Sequence, residues 1–96
     1  MSAIIDEFIA FLGPRVTGQL QGTAKLVIAG EGAVMLDEAG ARAGDAEADV
    51  TLSASEQVFR NILSGDQNPA TAFMTGKLKV DGSIQRALKV SAILTA

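Results

Sequence analysis

A four-residue strand pattern between two helix patterns most constrains the fold of this chain. Residues 77–80, KLKV, alternate charged and apolar side chains, with Leu78 and Val80 on the side predicted to face inward. One helix pattern ends before them at Gly76, and another begins after them at Ser83. Because so short a strand is not stable alone, it must complete a sheet formed elsewhere in the chain. The sequence therefore predicts a sheet that this strand completes and helices beside it that cover part of the structure.

Four earlier β-type runs, separated by glycine or acidic turns, supply the rest of that sheet. Apolar residues alternate in three of them, which is typical of strands with one buried face. From their order in the chain we predict a four-strand meander. The four runs are residues 23–29, 33–38, 41–44 and 48–54, and the inward pairs are Leu26 and Ile28, Val34 and Leu36, and Val50 and Leu52.

The first helix pattern covers residues 2–12 and carries a wide apolar stripe. We predict that Ser2 caps it and that the following Gly-Pro pair, residues 13–14, disrupts it. Val16 and Leu20 are at the spacing of one further turn after the disruption.

Three more helix patterns follow, each with its own terminal residues. The spacing of Ser53 and Glu56 predicts a capping box for the second helix, which ends at Gly65. An Asn-Pro pair at residues 68–69 begins the third helix, because Asn caps well and Pro fits the first helical position. Ser83 is the predicted cap of the last helix.

Missing residue types argue against catalysis and against metal binding. The chain has no His, Cys, Tyr or Trp, so the commonest general base, the thiol nucleophile and the usual soft metal ligands are absent. We expect a protein that is not an enzyme and that holds no cofactor or metal. An enzyme that uses Asp or Glu alone is the remaining catalytic alternative.

Length and charge bear on domain count, location and partners. The 96 residues predict a single domain, residues 1–96. A net charge of −3 without Trp or Tyr argues against nucleic acid as a partner. No uncharged run approaches the ~18 residues of a membrane span, and the first residues lack the basic start of a signal peptide. We therefore expect a soluble, cytoplasmic protein.

Two polar segments allow a functional and a structural interpretation. Asp45, Glu47 and Asp49 form an acidic run, for which a solvated turn is favoured over a weak cation site because the EF-hand spacing is absent. Residues 30–32, GEG, lack the third glycine and the helix of a phosphate-binding loop. They predict a hairpin turn.

The segment that contains the short strand resembles a known family. Residues 68–90, NPATAFMTGKLKVDGSIQRALKV, are similar to the signature of the sterol carrier protein type 2 family, in which an Asn-Pro helix with an Ala-Phe pair runs through Gly-Lys-Leu-Lys into the last strand and helix. The upstream ADVTLSAS and its amphipathic helix match as well. The resemblance is specific from about residue 48 to 90 and looser from 23 to 37.

This resemblance implies a fold and a function. The fold is α+β, a five-stranded, mainly antiparallel sheet with helices on one face that enclose an apolar tunnel. The function is non-catalytic binding and transfer of a fatty acyl, acyl-CoA, sterol-like or isoprenoid lipid. The alternative is an accessory or scaffold subunit that presents a lipid, such as a quinone precursor, to partner enzymes of lipid metabolism. A transient contact with a membrane surface and the oligomeric state stay open.

The resemblance also implies which side chains line the tunnel, although apolar residues at helical spacing are often ordinary core. Lys77 and Lys79 likewise allow two interpretations, protection of an edge strand or attraction to anionic headgroups. The predicted lining residues are Phe8, Leu12, Ile28, Leu36, Phe59, Leu63, Phe73, Met74, Ile84, Ala87 and Leu88.

Overall fold

The computed structural model describes residues 3–95 and confirms an α+β fold, with four helices against one face of a five-stranded sheet. Among these residues no helix is both long and apolar enough to cross a membrane. The elements are α1 (Ala3–Val16), β1 (Ala24–Ile28), β2 (Gly32–Asp37), β3 (Gly40–Ala43), β4 (Val50–Ala54), α2 (Glu56–Ser64), α3 (Pro69–Met74), β5 (Lys79–Gly82) and α4 (Ile84–Leu94).

The strand order is β3-β2-β1-β4-β5, so the predicted four-strand meander is wrong. The first three strands form antiparallel neighbours, but β4 pairs with β1 in parallel, from Ala24 opposite Val50 to Ile28 opposite Ala54. The chain therefore crosses from one sheet edge to the other side of β1. Burial explains this order, because β1 and β4 both alternate fully buried and half-buried residues, whereas half of the residues of β3 are exposed.

The hairpin between β1 and β2 confirms the predicted turn at residues 30–32. The Glu31 amide donates to the Ile28 carbonyl at 2.9 Å. Gly30 has φ +79°, which side chains other than glycine rarely adopt.

Strand β5 begins two residues later than predicted. The amides of Lys77 and Leu78 both donate to the Ala72 carbonyl, at 2.9 and 3.0 Å, so these residues close the end of α3 instead of pairing with β4. Leu78 is nevertheless buried, and Val80 is half-buried against the core, as predicted. Because β5 is an edge strand, Lys79 lies where a charge protects against pairing with another chain.

Helix α1 runs through Pro14 to Val16, so the predicted disruption at residues 13–14 is wrong. The helix continues past the proline because its buried stripe extends from Leu12 to Val16. Leu20, predicted to lie one turn further, is buried just beyond the helix. The predicted cap Ser2 lies outside the described residues.

The other helices begin largely as predicted. The cap of α2 is Ser55, which accepts from the Val58 amide at 3.2 Å, and not Ser53, because Ser53 belongs to β4. Gly65 ends α2 with φ +89°. The predicted caps of α3 and α4 are confirmed: Asn68 accepts from the amides of residues 70 and 71, and Ser83 accepts from that of residue 86.

Candidate functional site

The layer between the helices and the sheet gathers six of the eleven predicted lining residues. They come from α1, from both strands of the β1–β2 hairpin, from α2 and from α4, and all belong to one buried apolar cluster. Within it the Phe8 and Phe59 rings meet edge to face, with centroids 6.4 Å apart. The six residues are Phe8, Leu12, Ile28, Leu36, Phe59 and Ala87.

The other five predicted lining residues lie at or near the surface. Leu63 is half-buried and packs against the core. Phe73 and Met74 on α3, and Ile84 and Leu88 on α4, are exposed. For these four a role in lining a tunnel stays a prediction.

A groove of about 710 Å³ lies between α1 and α2, and we call it the α1–α2 groove. Its volume is within the range of small-molecule sites. Its apolar wall joins the core through Phe8, so the groove continues the buried layer to the surface. The wall comprises Phe8, Ala10, Phe11 and Leu63, and the polar rim comprises Glu7, Arg60 and Ser64.

The positive charge of Arg60 at the rim of the α1–α2 groove is balanced by neighbouring carboxylates. The Arg60 guanidinium binds the carboxylates of Glu7 and Glu56, each at 2.5 Å, and its carbon lies 5.4 Å from the centre of the Phe8 ring. The hydrogen bond to Glu7, followed by that to Glu56, raises the pKa of Arg60 above its ordinary value. Two carboxylates around one cation leave this rim without an excess positive charge, so it does not favour an anionic headgroup.

A second groove of about 440 Å³, the α4 groove, lies between the loop after α1, the start of β4 and α4. Arg86 and Lys89 line it. Arg86 donates to the Gln21 carbonyl at 3.2 Å and lies 3.8 Å from the Asp49 carboxylate. The groove shares apolar walls with the core at Leu20, Val50 and Val90. The buried layer therefore reaches both grooves, one with an apolar wall and one that carries two cations.

The sequence reasoning predicted Phe8 and Leu63 as site residues but missed the other residues that line these grooves. Two of the missed residues could have been found from helical spacing. Phe11 is three positions after the predicted site residue Phe8, and Arg60 is four positions after Glu56, so each pair lies side by side on its helix. Arg86 and Lys89 carried no such information, because their role depends on the loop after α1, which only the tertiary fold brings to α4.

The acidic run after β3 takes part in structural contacts. Asp45 pairs with Lys25 at 2.7 Å, and the Asp49 carboxylate accepts from the Thr23 amide at 3.1 Å. Within residues 3–95 no group of three or more acidic side chains is arranged to hold a metal ion. These contacts tie the start of β4 to the start of β1.

Comparisons with known proteins identify the family. The model of the SCP-2 sterol transfer family matches residues 14–95. A fatty acid-binding protein of the yeast Yarrowia lipolytica is 40% identical over 50% of this chain, and hydroxysteroid dehydrogenase-like protein 2 of Rattus norvegicus is 42% identical over 50%. The alignments cover only 37% of the yeast protein and 9% of the rat protein.

Solved structures share the fold at low sequence identity. Sterol carrier protein 2 of Aedes aegypti, in complex with palmitate, superposes with a TM-score of 0.77 at 21% identity, over 98% of this chain and 96% of that one. A UbiJ-SCP2 ubiquinone synthesis protein superposes with a TM-score of 0.61 at 18% identity, over 95% and 89%. Because the family model spans nearly the whole sequence, the chain belongs to the SCP-2 sterol transfer family.

Proposed function

We propose that residues 1–96 form one lipid-binding domain, without catalytic activity of its own, that binds and transfers a fatty acyl lipid. The observation that carries this proposal is the apolar layer that reaches the surface at both the α1–α2 groove and the α4 groove. The palmitate-bound Aedes aegypti protein of the same fold and the fatty acid-binding yeast relative support an acyl chain as the ligand.

The two grooves differ in polarity, which predicts the direction of the bound lipid. The acyl chain follows the apolar layer toward Phe8 and Phe11 at the α1–α2 groove. Its carboxylate lies in the α4 groove beside Arg86 and Lys89. No ion pair joins Lys89 to a carboxylate within residues 3–95, so its charge is available to an anionic ligand.

The energetics support binding in the micromolar range. Each buried methylene contributes about 0.8 kcal/mol, so ten contribute about 8 kcal/mol before the entropic cost of association. A charge-assisted hydrogen bond to the carboxylate adds about 1.5–3 kcal/mol. These gains offset the cost of association and of separating packed side chains in the layer.

The test is a titration of delipidated protein with a fluorescent fatty acid of palmitate length. Ala10 lines the α1–α2 groove and is exposed, so Ala10→Trp fills the groove without removing core contacts. We expect it to weaken binding at least ~10-fold, which corresponds to about 1.4 kcal/mol. The matched control is Ala92→Trp, at another exposed helical alanine outside both grooves. Absence of binding by the wild type would contradict the proposal.

A second candidate is an accessory subunit that presents an isoprenoid lipid to other enzymes. The fold shared with a ubiquinone synthesis protein supports it. A competition experiment separates the two functions: an isoprenoid quinone precursor that displaces the fluorescent fatty acid at a lower concentration than palmitate favours the accessory subunit. Stable co-purification with enzymes of lipid synthesis is its second expected result.

A further inference from the structure

Four large apolar side chains lie exposed on two helices that pack against each other. Phe73 and Met74 end α3, with 40% and 83% of their surfaces exposed, and Ile84 and Leu88 occupy the first two turns of α4, with 50% and 55% exposed. Of the five exposed large apolar side chains in residues 3–95, only Phe11 lies elsewhere. We call these four residues the α3–α4 surface.

The fold does not need these side chains for its own core. In α3 the buried position is taken by Ala72, and in α4 the buried stripe runs through Ala87, Val90 and Leu94. Ile84 and Leu88 are four positions apart, so they lie side by side on one flank of that stripe. Exposed apolar side chains that are concentrated in one region, and not scattered singly, are typical of interaction surfaces.

Positive charge is concentrated in the same part of the chain. Residues 67–96 contain four basic residues and one acidic residue, a net charge of +3. Residues 1–66 contain four basic and ten acidic residues, a net charge of −6. The protein is thus acidic overall, but the segment that carries the α3–α4 surface is basic.

Two lysines of this segment lack the ion pairs that several cations elsewhere in the described residues form. Lys25, Arg42 and Arg60 each pair with a carboxylate. Lys77 and Lys79, which follow α3 directly, form no ion pair with any carboxylate of the described residues. Both are exposed, so their charges remain available to a partner with negative charge.

We propose that the α3–α4 surface docks this domain onto an anionic lipid bilayer. The four apolar side chains enter the interface between headgroups and acyl chains, and Lys77, which follows α3 directly and is exposed, contacts lipid phosphates. Exposed apolar side chains accompanied by lysines are the combination that binds anionic bilayers. The docking adds to the proposed function, because Arg86 and Lys89 of the α4 groove lie on the same helix as Ile84 and Leu88.

The experiment is flotation of the protein with vesicles of phosphatidylcholine that contain about 30% phosphatidylserine, beside vesicles of phosphatidylcholine alone. We expect binding to the anionic vesicles and its loss at about 0.5 M salt, where charges are screened. The variant Lys77→Gln should weaken binding about five-fold, which is the contribution of one lysine near an anionic surface. Met74→Gln/Leu88→Gln should weaken binding at least ~10-fold, since both side chains are more exposed than buried.

The matched control for charge is Arg42→Gln, which removes one cation from β3 at the opposite edge of the sheet. It should bind vesicles within about two-fold of the wild type, because binding depends on local charge and not on net charge. Circular dichroism of each variant shows whether it folds.

Three results would overturn the docking proposal. One is equal binding to neutral and anionic vesicles. The second is unchanged vesicle binding by the folded Met74→Gln/Leu88→Gln variant. The third is a concentration-dependent dimer of the wild type that this variant abolishes, which would make the surface a contact between copies of the chain. Vesicle binding without acyl binding would refute the proposed function and leave the docking proposal standing.

Discussion

Substitution of Leu12 by alanine tests whether the lipid chain lies in the layer beneath α1. The Leu12 side chain is fully buried, and its neighbours on the same helix stripe are Phe8 and Val16. Alanine removes three carbons, so the transfer loss is about 2.4 kcal/mol, and the cavity left behind raises the total to about 3–5 kcal/mol. A domain of this size has only about 5–15 kcal/mol of stability. The variant should therefore fold but unfold at much lower urea concentration.

If the acyl chain passes Leu12, the bound ligand should reduce the loss of stability that Leu12→Ala causes. Apolar cavities bind apolar molecules, so part of the chain can occupy the vacated space. We expect the fluorescent fatty acid to bind Leu12→Ala about five-fold more tightly than the wild type, which corresponds to about 1 kcal/mol. With ligand in excess, the difference in stability between the two proteins shrinks by the same amount.

The assay is urea denaturation of delipidated wild type and variant, with and without the fatty acid. The matched control is Leu26→Ala, because Leu26 is equally buried but was not predicted to line the site. Its loss of stability should be the same with and without ligand. Equal ligand effects in the two variants would refute the position of the acyl chain beneath α1. A loss below about 1.5 kcal/mol for Leu12→Ala would refute the close packing of Leu12.

Three further predictions concern local structure. Gly82→Ala should destabilise the protein by more than about 2 kcal/mol in urea denaturation, because its Cβ would lie 2.6 Å from the Asp49 carbonyl oxygen at φ +106°. Asn68→Ala should lose about 1 kcal/mol with the cap of α3, and retention of full stability would contradict the cap. The hydrogen bond from Arg42 lowers the pKa of Asp37 below 3.8, so Arg42→Gln should raise that pKa in an NMR titration. Because the folded-state pKa is depressed, the stabilisation by Asp37 is present above pH 3.8 and is lost as the pH falls through the folded-state value. The variant should lose the part of this dependence that comes from Arg42, while the backbone hydrogen bonds from Ala39 and Gly40 remain.

Local patterns were sufficient to predict most elements of the fold. Alternation identified the buried faces of β1 and β4, because the side chains of a strand point to its two faces with period two. It also identified Val34 and Leu36 of β2 as buried, but not Met35, which is buried on the other face. Asn68 and Ser83 were correctly predicted as caps, since a cap acts through hydrogen bonds within its own helix. The continuation of α1 through Pro14 could not be predicted from such local patterns. There the packing of a buried stripe outweighs the lost backbone hydrogen bond.

The candidate site was predicted less completely than the fold. Phe8, Leu12 and Phe59 were assigned to the apolar layer, and they are buried there, because an apolar stripe predicts burial whatever it packs against. The family resemblance also assigned Met74 and Leu88 to the ligand site; both are exposed, and their role in lining that site stays a prediction. Periodicity defines a face of a helix. It does not define the angle at which the helix meets its neighbours.

The sequence by itself determined the α+β class, the buried side of most strands and the caps of the last two helices, because these depend on residues within a few positions of one another. Only the tertiary structure decided that β4 lies beside β1 and that the loop after α1 meets α4. Both arrangements join residues about 25 or more positions apart, such as Ala24 with Val50 and Gln21 with Arg86. Such contacts form because burial of the whole apolar layer selects one arrangement of the elements, and no local pattern records that selection.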